Sequence, residues 1–403
     1  MQIKDLHTKI VLILAGVYFV SQFLRSALGI SILDISQDFN LNYEQIGRLG
    51  GIFFLSFALM QIPLGILLDR FNPLKIIFYM VIIIYIGTII LSFSNSFEIA
   101  FFARTLQGIG CSVCLMGPLV YLAKTSSRKR FSTLSGVIMG LGGLGSLFAF
   151  SPFYKLNLLL GWKGSFFAFS FLILAVLIIM IYLLKNTKVE SVLNDNENDL
   201  KSFIRIFTNR NFLYILPMSV FGYASFAFLL TLWGSNYLKL NQSISDNDIA
   251  NILMFTALFW TLGSLFFGAV NQKISSNKSL VIMSAFSMAT LLLLLTFFKV
   301  NGYYYILIIF CLYGFIGAFT LVVLDHYRKL FDSRILGRVL TSANLFNFGG
   351  VFFIQWIVGI VIEFSTERIG VSIDKAFSIS FVLISFLLLL SILFYLKSDE
   401  TES

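Results

Sequence analysis

The sequence predicts an all-α membrane protein of twelve transmembrane helices in two pseudo-symmetric six-helix bundles. Three observations carry this. The 403 residues are 58% hydrophobic and only 12% charged, more apolar surface than a water-soluble domain can hide. Twelve runs reach the ~20 mostly apolar residues a helix needs to cross a bilayer. The longest polar stretch, 185–210, divides those runs six and six.

In order, the runs are 10–35, 46–68, 74–94, 97–122, 132–152, 164–184, 211–238, 247–270, 279–298, 302–326, 337–362 and 375–396. Helices suit them, because backbone groups in hydrocarbon must be paired within the segment; a barrel would show short alternating strands. The first run is too long for a signal-peptide core and reads as a retained membrane helix. With both ends inside, 20 of the 29 lysines and arginines fall on the inner side, the bias expected of cytoplasmic loops. A net charge of +9 is explained this way; its basic residues lie in short separate loops, which argues against nucleic acid. The expected organisation is a bundle over 1–184, a cytoplasmic linker over 185–210 and a bundle over 211–403. Within the linker, "LKSFIRIF" has the pattern of a short surface helix.

Shifting the chain by 203 residues lays "GILLDRFNPLK" (65–75) on "GAVNQKISSNK" (268–278), matching Gly65 to Gly268, Arg70 to Lys273 and Lys75 to Lys278. At offset 206, Gly108 meets Gly314. The halves read as parallel repeats about an axis along the membrane normal. The loop at Gly65 to Lys75 combines a small residue, which permits close helix approach, with a carboxylate and two cations at a helix end. Asn72 stands at the turn, where asparagine substitutes for glycine in a left-handed conformation.

Two six-helix halves, a central linker and Gly65-x-x-x-Asp69-Arg70 between helices two and three resemble the major facilitator superfamily over the whole chain. "RTLQGIG" (104–110) matches the family's helix-four pattern at Arg104, Gln107, Gly108 and Gly110. The resemblance implies that Gly65, Asp69, Arg70 and Lys75 form an inner gate. It also implies a substrate site between the halves and transport by alternating access.

Arg104 and Gln107 share a helix face. They read either as a buried charge near substrate or as an arginine satisfied by carbonyls between helices. A stripe particular to this chain runs along helix one at Tyr18, Gln22, Arg25 and Gly29, spaced i, i+4, i+7 and i+11. Arg25 lies too deep to snorkel, and a buried cation wants an anion; a substrate carboxylate could supply it, as could helix carbonyls or an acidic side chain. In the C-terminal half Tyr223, Trp233, Trp260, Tyr313, Asn344 and Asn347 are candidates to line the same site. "LWGSNYL" (232–238) resembles the anion and organic-acid branches of the superfamily. Asp325 and His326 are candidates for carrying a coupling proton.

Other chemistry is not written in the chain. Cys111, Cys114 and Cys311 fall in apolar runs without a second ligand pair, and read as packing residues. No phosphate loop, nucleotide fingerprint or metal cluster is present, so no cofactor and no enzymatic activity are expected. The family's antiporter Gly-Pro pair is missing from helix five, and Asp34, Asp325 and Glu363 lie near run ends. A mid-membrane acid for cationic drugs is not evident. The expected function is secondary transport of a small organic anion or amino-acid-like carboxylate, as a proton-coupled symporter. The expected setting is a monomer in the lipid bilayer of a bacterial inner membrane. The alternatives are an efflux pump for amphipathic compounds and a non-transporting receptor on the same fold.

Overall fold

The structure is a computed structural model that describes residues 2–185, 206–240, 244–271, 273, 277–297 and 302–400. Among these the regular structure is helical. The N-terminal half contributes α1 (Gln2–Asp38), α2 (Tyr43–Leu59), α3 (Gln61–Arg70), α4 (Pro73–Ser92), α5 (Phe97–Cys111), α6 (Val113–Thr125), α7 (Arg128–Phe148) and α8 (Ser151–Lys185). The C-terminal half contributes α9 (Arg210–Phe228), a π-helical turn (Leu229–Trp233), α10 (Gly234–Leu240), α11 (Asp246–Asn271), α12 (Asn277–Phe297), α13 (Tyr303–Gly317) and α14 (Thr320–Leu330). It ends with α15 (Ser333–Glu363), a second π-helical turn (Phe364–Arg368) and α16 (Ile373–Tyr395).

Eleven stretches of the described residues are long and apolar enough to cross a bilayer, and a shorter apolar helix, Thr133–Phe148, accompanies them. These match the twelve sequence runs in order. Several spans are built from two consecutive helices, as in Tyr43–Leu68 (α2 and α3) and Phe97–Thr125 (α5 and α6). Gly161, at φ +67, breaks α8, so the sixth run begins there. Of "LKSFIRIF" only Ile206 and Phe207 are described, both helical; the central part of the linker lies outside the described residues.

The described residues group into two compact units: Met1–Leu41 with Ile52–Asp195, and Asn42–Gly51 with Asn196–Ser403. Within the first, α1 packs on α7 and α4 on α8; within the second, α9 packs on α15 and α12 on α16. The internal repeat is thus present as a pattern of pairings. It is present in atomic detail too. A Cβ added at Gly108 would collide with the Phe53 carbonyl oxygen, and one at Gly314 with the Thr256 carbonyl oxygen. The glycines are 206 apart and the carbonyls 203 apart, the two offsets found in the sequence. Each contact lets two helix backbones touch where any side chain would hold them apart.

The loop at 65–75 differs from expectation in two ways. Asn72 is not left-handed: its φ and ψ are −64° and 118°, and its side chain accepts a hydrogen bond from the Leu74 N–H at 2.9 Å, capping α4 with Pro73 in the first turn. The cause is Pro73, which drives the residue before it toward extended backbone. Gly65 makes no close approach either, since an added Cβ would meet no atom within 4 Å.

Gly108→Ala and Gly314→Ala are each expected to destabilise the protein by roughly 1–3 kcal/mol through overpacking. Gly65→Ala is expected to leave the melting temperature unchanged. Thermal unfolding of the three variants in detergent checks this contrast.

Candidate functional site

In the first unit the stripe on α1 is only partly open. Tyr18 is buried over Gly142 of α7, where a Cβ would strike the tyrosine ring. One turn on, Gln22 and Arg25 are half-buried. The Arg25 guanidinium lies over the Phe57 ring, 5.1 Å from its centroid, a cation–π contact that stabilises charge without neutralising it. The cation is also within electrostatic reach of Cys114. Gln22 Oε1 is shielded and lacks a hydrogen-bond partner.

Arg104 lies behind this face, 1% exposed, with Gln107 at 0%. Its Nη1 donates to the Leu24 carbonyl at 3.0 Å and to Gln107 Oε1 at 2.9 Å. Gln107 Nε2 donates to Thr88 Oγ1 at 3.1 Å, and Thr88 donates to the Ile84 carbonyl at 2.9 Å. The guanidinium stands 4.6 Å from the centroid of Phe53. This chain of bonds joins α5, α1 and α4, and grips the α1 backbone one residue before Arg25. Of the two arginines, Arg104 is fully buried, whereas Arg25 is half-buried.

In the second unit the candidates divide in the same manner. Tyr313 is buried and donates to the Ser225 carbonyl at 2.6 Å; Asn347 is buried and accepts from Ser219 at 2.8 Å. Tyr223, Trp260 and Asn344 remain half-buried. Tyr223 meets Phe348 edge-on at 5.3 Å, and Trp260 stacks on Phe226 at 5.7 Å with its Nε1 shielded and unbonded. Trp233 is buried, and its Nε1 donates to the Gln355 carbonyl at 3.1 Å. The accessible aromatic groups therefore come from α9 and α11, with Asn344 from α15.

The residues of the expected gate are simpler. Arg70 and Lys75 are exposed, Gly65 is half-buried, and the Asp69 side chain lies outside the described residues. Lys124 of α6 reaches this loop, donating to the Leu68 carbonyl at 3.1 Å. Asp325 and His326 are adjacent in sequence but face different partners. Asp325 accepts from Asn271 at 2.8 Å and lies 3.9 Å from Lys329; His326 is bonded to Tyr395 and Asp399.

Sequence reasoning missed Phe53, Phe57 and Thr88, which carry no polar pattern of their own. It also missed a close helix crossing inside the second unit. Added Cβ atoms at Gly47 and Gly359 would strike the carbonyls of Gln355 and Tyr43. Beside them, Glu363 accepts from the Tyr43 N–H at 2.8 Å and Glu44 from Trp356 Nε1 at 3.0 Å. The spaced glycines at 47 and 51 were the available signal.

A model of the Major Facilitator Superfamily matches residues 14–354. Among curated proteins, an "Uncharacterized transporter" of Buchnera aphidicola subsp. Schizaphis graminum (strain Sg) is 27% identical over 62% of the chain and 63% of its own length. "Efflux pump hmp6" of Hypomyces subiculosus is 29% identical over 32% of the chain and 24% of its own length. The matches thus span less than two thirds of either relative. Among solved structures, a bacterial homologue of the human lysosomal transporter Spinster, inward-facing and occupied, superposes with a TM-score of 0.77 at 16% identity, covering 98% of this chain and 97% of that one. A D-xylose-proton symporter gives 0.75 at 14% identity, covering 98% of each. Both likenesses speak for the fold.

Arg104→Ala would leave Gln107 Oε1 and the Leu24 carbonyl without their donor. It is expected to cost about 1–3 kcal/mol of stability, read as a lower melting temperature.

Proposed function

The chain belongs to the Major Facilitator Superfamily, and from that premise we propose that it is a secondary active transporter of a small organic anion or amino-acid-like carboxylate. It works by alternating access in a bacterial inner membrane, with both ends cytoplasmic. One observation carries the substrate class: Arg25 places a half-buried cation well inside the span Thr8–Asp38, seated on Phe57. A guanidinium so placed suits a carboxylate, which it can engage with two parallel hydrogen bonds. Gln22, one turn away, adds an amide beside it. Arg104 and Gln107 support this site by fixing the α1 backbone at Leu24. In the C-terminal half, Tyr223, Trp260 and Asn344 contact the body of the substrate, and Tyr313 and Asn347 hold the helices that present them.

Gly65, Asp69, Arg70 and Lys75 act in the inner gate. Transport is coupled to a proton. That proton travels on the substrate, because Asp325 and His326 are each engaged with other groups. Efflux of amphipathic compounds is the second reading, favoured by the Phe226–Trp260 stack and by the name of one relative.

Ligand binding raises the melting temperature by mass action, so a panel of carboxylates, amino acids and amphipathic cations separates the two. A carboxylate class is expected to stabilise the parent, to lose that effect in Arg25→Ala, and to recover part of it in Arg25→Lys. Stabilisation by amphipathic cations alone, equal in parent and Arg25→Ala, would replace the anion reading with efflux.

A further inference from the structure

The short segment Leu396–Glu400, beyond the end of α16, is bound to three other helices. Lys278, in the first turn of α12, donates to the Leu396 carbonyl at 3.1 Å. Asn211, in the first turn of α9, makes a reciprocal pair with Asp399: its Nδ2 donates to Asp399 Oδ2 at 2.9 Å, and its Oδ1 accepts from the Asp399 N–H at 3.0 Å. From α14, His326 Nε2 lies 2.7 Å from the Asp399 carbonyl oxygen, and His326 Nδ1 lies 2.7 Å from the Tyr395 hydroxyl. A carbonyl oxygen only accepts, so Nε2 carries a hydrogen, while the tyrosine hydroxyl can either donate to Nδ1 or accept from it. Both ring nitrogens are engaged.

The anchors and the segment differ in burial. His326 and Tyr395 are 0% exposed, yet Leu396 is 52% exposed and Asp399 is exposed as well; only Ser398, at 2%, is buried. Little apolar surface holds the segment. Its grip is a set of polar bonds whose outer members compete with water, and such contacts open at low free-energy cost. Three of those bonds use backbone groups of the segment, so what is recognised is a peptide in a turn more than a particular side chain.

We propose that Leu396–Glu400 is a displaceable strap that restrains the start of α9. Helix α9 carries Ser219, Tyr223 and Ser225, the residues that meet α15 and α13 in the second unit. Closed, the strap ties the first turn of α9 to α12 and α14; open, it frees that turn while the bundle stays folded. His326 is the strap's buried anchor. This inference is independent of the substrate class.

Hydrogen exchange of the full chain in nanodiscs tests it against two variants, one ending after Lys397 and one carrying Asn211→Ala. His326 is left intact, since removing a fully buried ring tests folding instead. Both variants are expected to raise exchange in the first turns of α9 about tenfold, with α1 unchanged and the melting temperature within about two degrees of the parent. Unaltered exchange at α9 in both variants would overturn the strap. A general rise in exchange with a large drop in melting temperature would overturn it in the other direction, making the segment part of the bundle's core.

Discussion

Hydrocarbon offers no partner to a polar atom, and that constraint shapes this protein more than any single contact. Most hydroxyls in the described spans answer it locally, bonding back to their own helix: Thr88 to Ile84, Thr105 to Phe101, Thr256 to Ile252 and Thr290 to Phe286. Such bonds add no tertiary information. The groups that cannot close on their own turn must reach another helix, and they set the geometry. Arg104 reaches α1, Gln107 reaches α4, Tyr313 reaches α9, and Asn157 of α8 reaches Ser31 of α1 at 2.9 Å. Each is a buried polar group with a specific mate, so each discriminates between one register of the bundle and the next.

This explains why the fold was legible and the site less so. Span length is a property of composition, and twelve runs could be read directly. The ends also followed local rules, as with Pro73 opening α4 and Asn209 capping α9 through the Phe212 N–H. Asn72 shows the limit: asparagine serves both left-handed turns and caps, and the proline after it should have decided the matter. Glycines were harder. Gly65 and Gly108 look alike in sequence, but only Gly108 has another helix against it, and that depends on distant parts of the chain.

The two arginines make the same point about function. Both sit inside apolar helices, both are flanked by a glutamine three residues away, and the sequence left both open as substrate contacts. The difference is what surrounds them. Arg104 meets a carbonyl, an amide and a ring and is fully buried; Arg25 lies over a ring and is half-buried. Aromatic support is invisible to motif reading, because phenylalanine is abundant throughout this chain. In the second unit, Tyr313 and Asn347 were candidates by polarity alone, and both are buried and bonded across helices to Ser225 and Ser219.

The matched pair of glycine–carbonyl contacts, Gly108 on Phe53 and Gly314 on Thr256, also says something about how such a chain can change. The residues across from the glycines differ between the halves, a phenylalanine in one and a threonine in the other, yet both present a backbone oxygen to the glycine, joined by the Ser56 hydroxyl in the first half and the Thr256 methyl in the second. The peptide part of such a contact places little demand on residue identity. Each half can therefore diverge in side-chain chemistry while it keeps this backbone crossing. The repeat survives as geometry after it has largely faded as spelling.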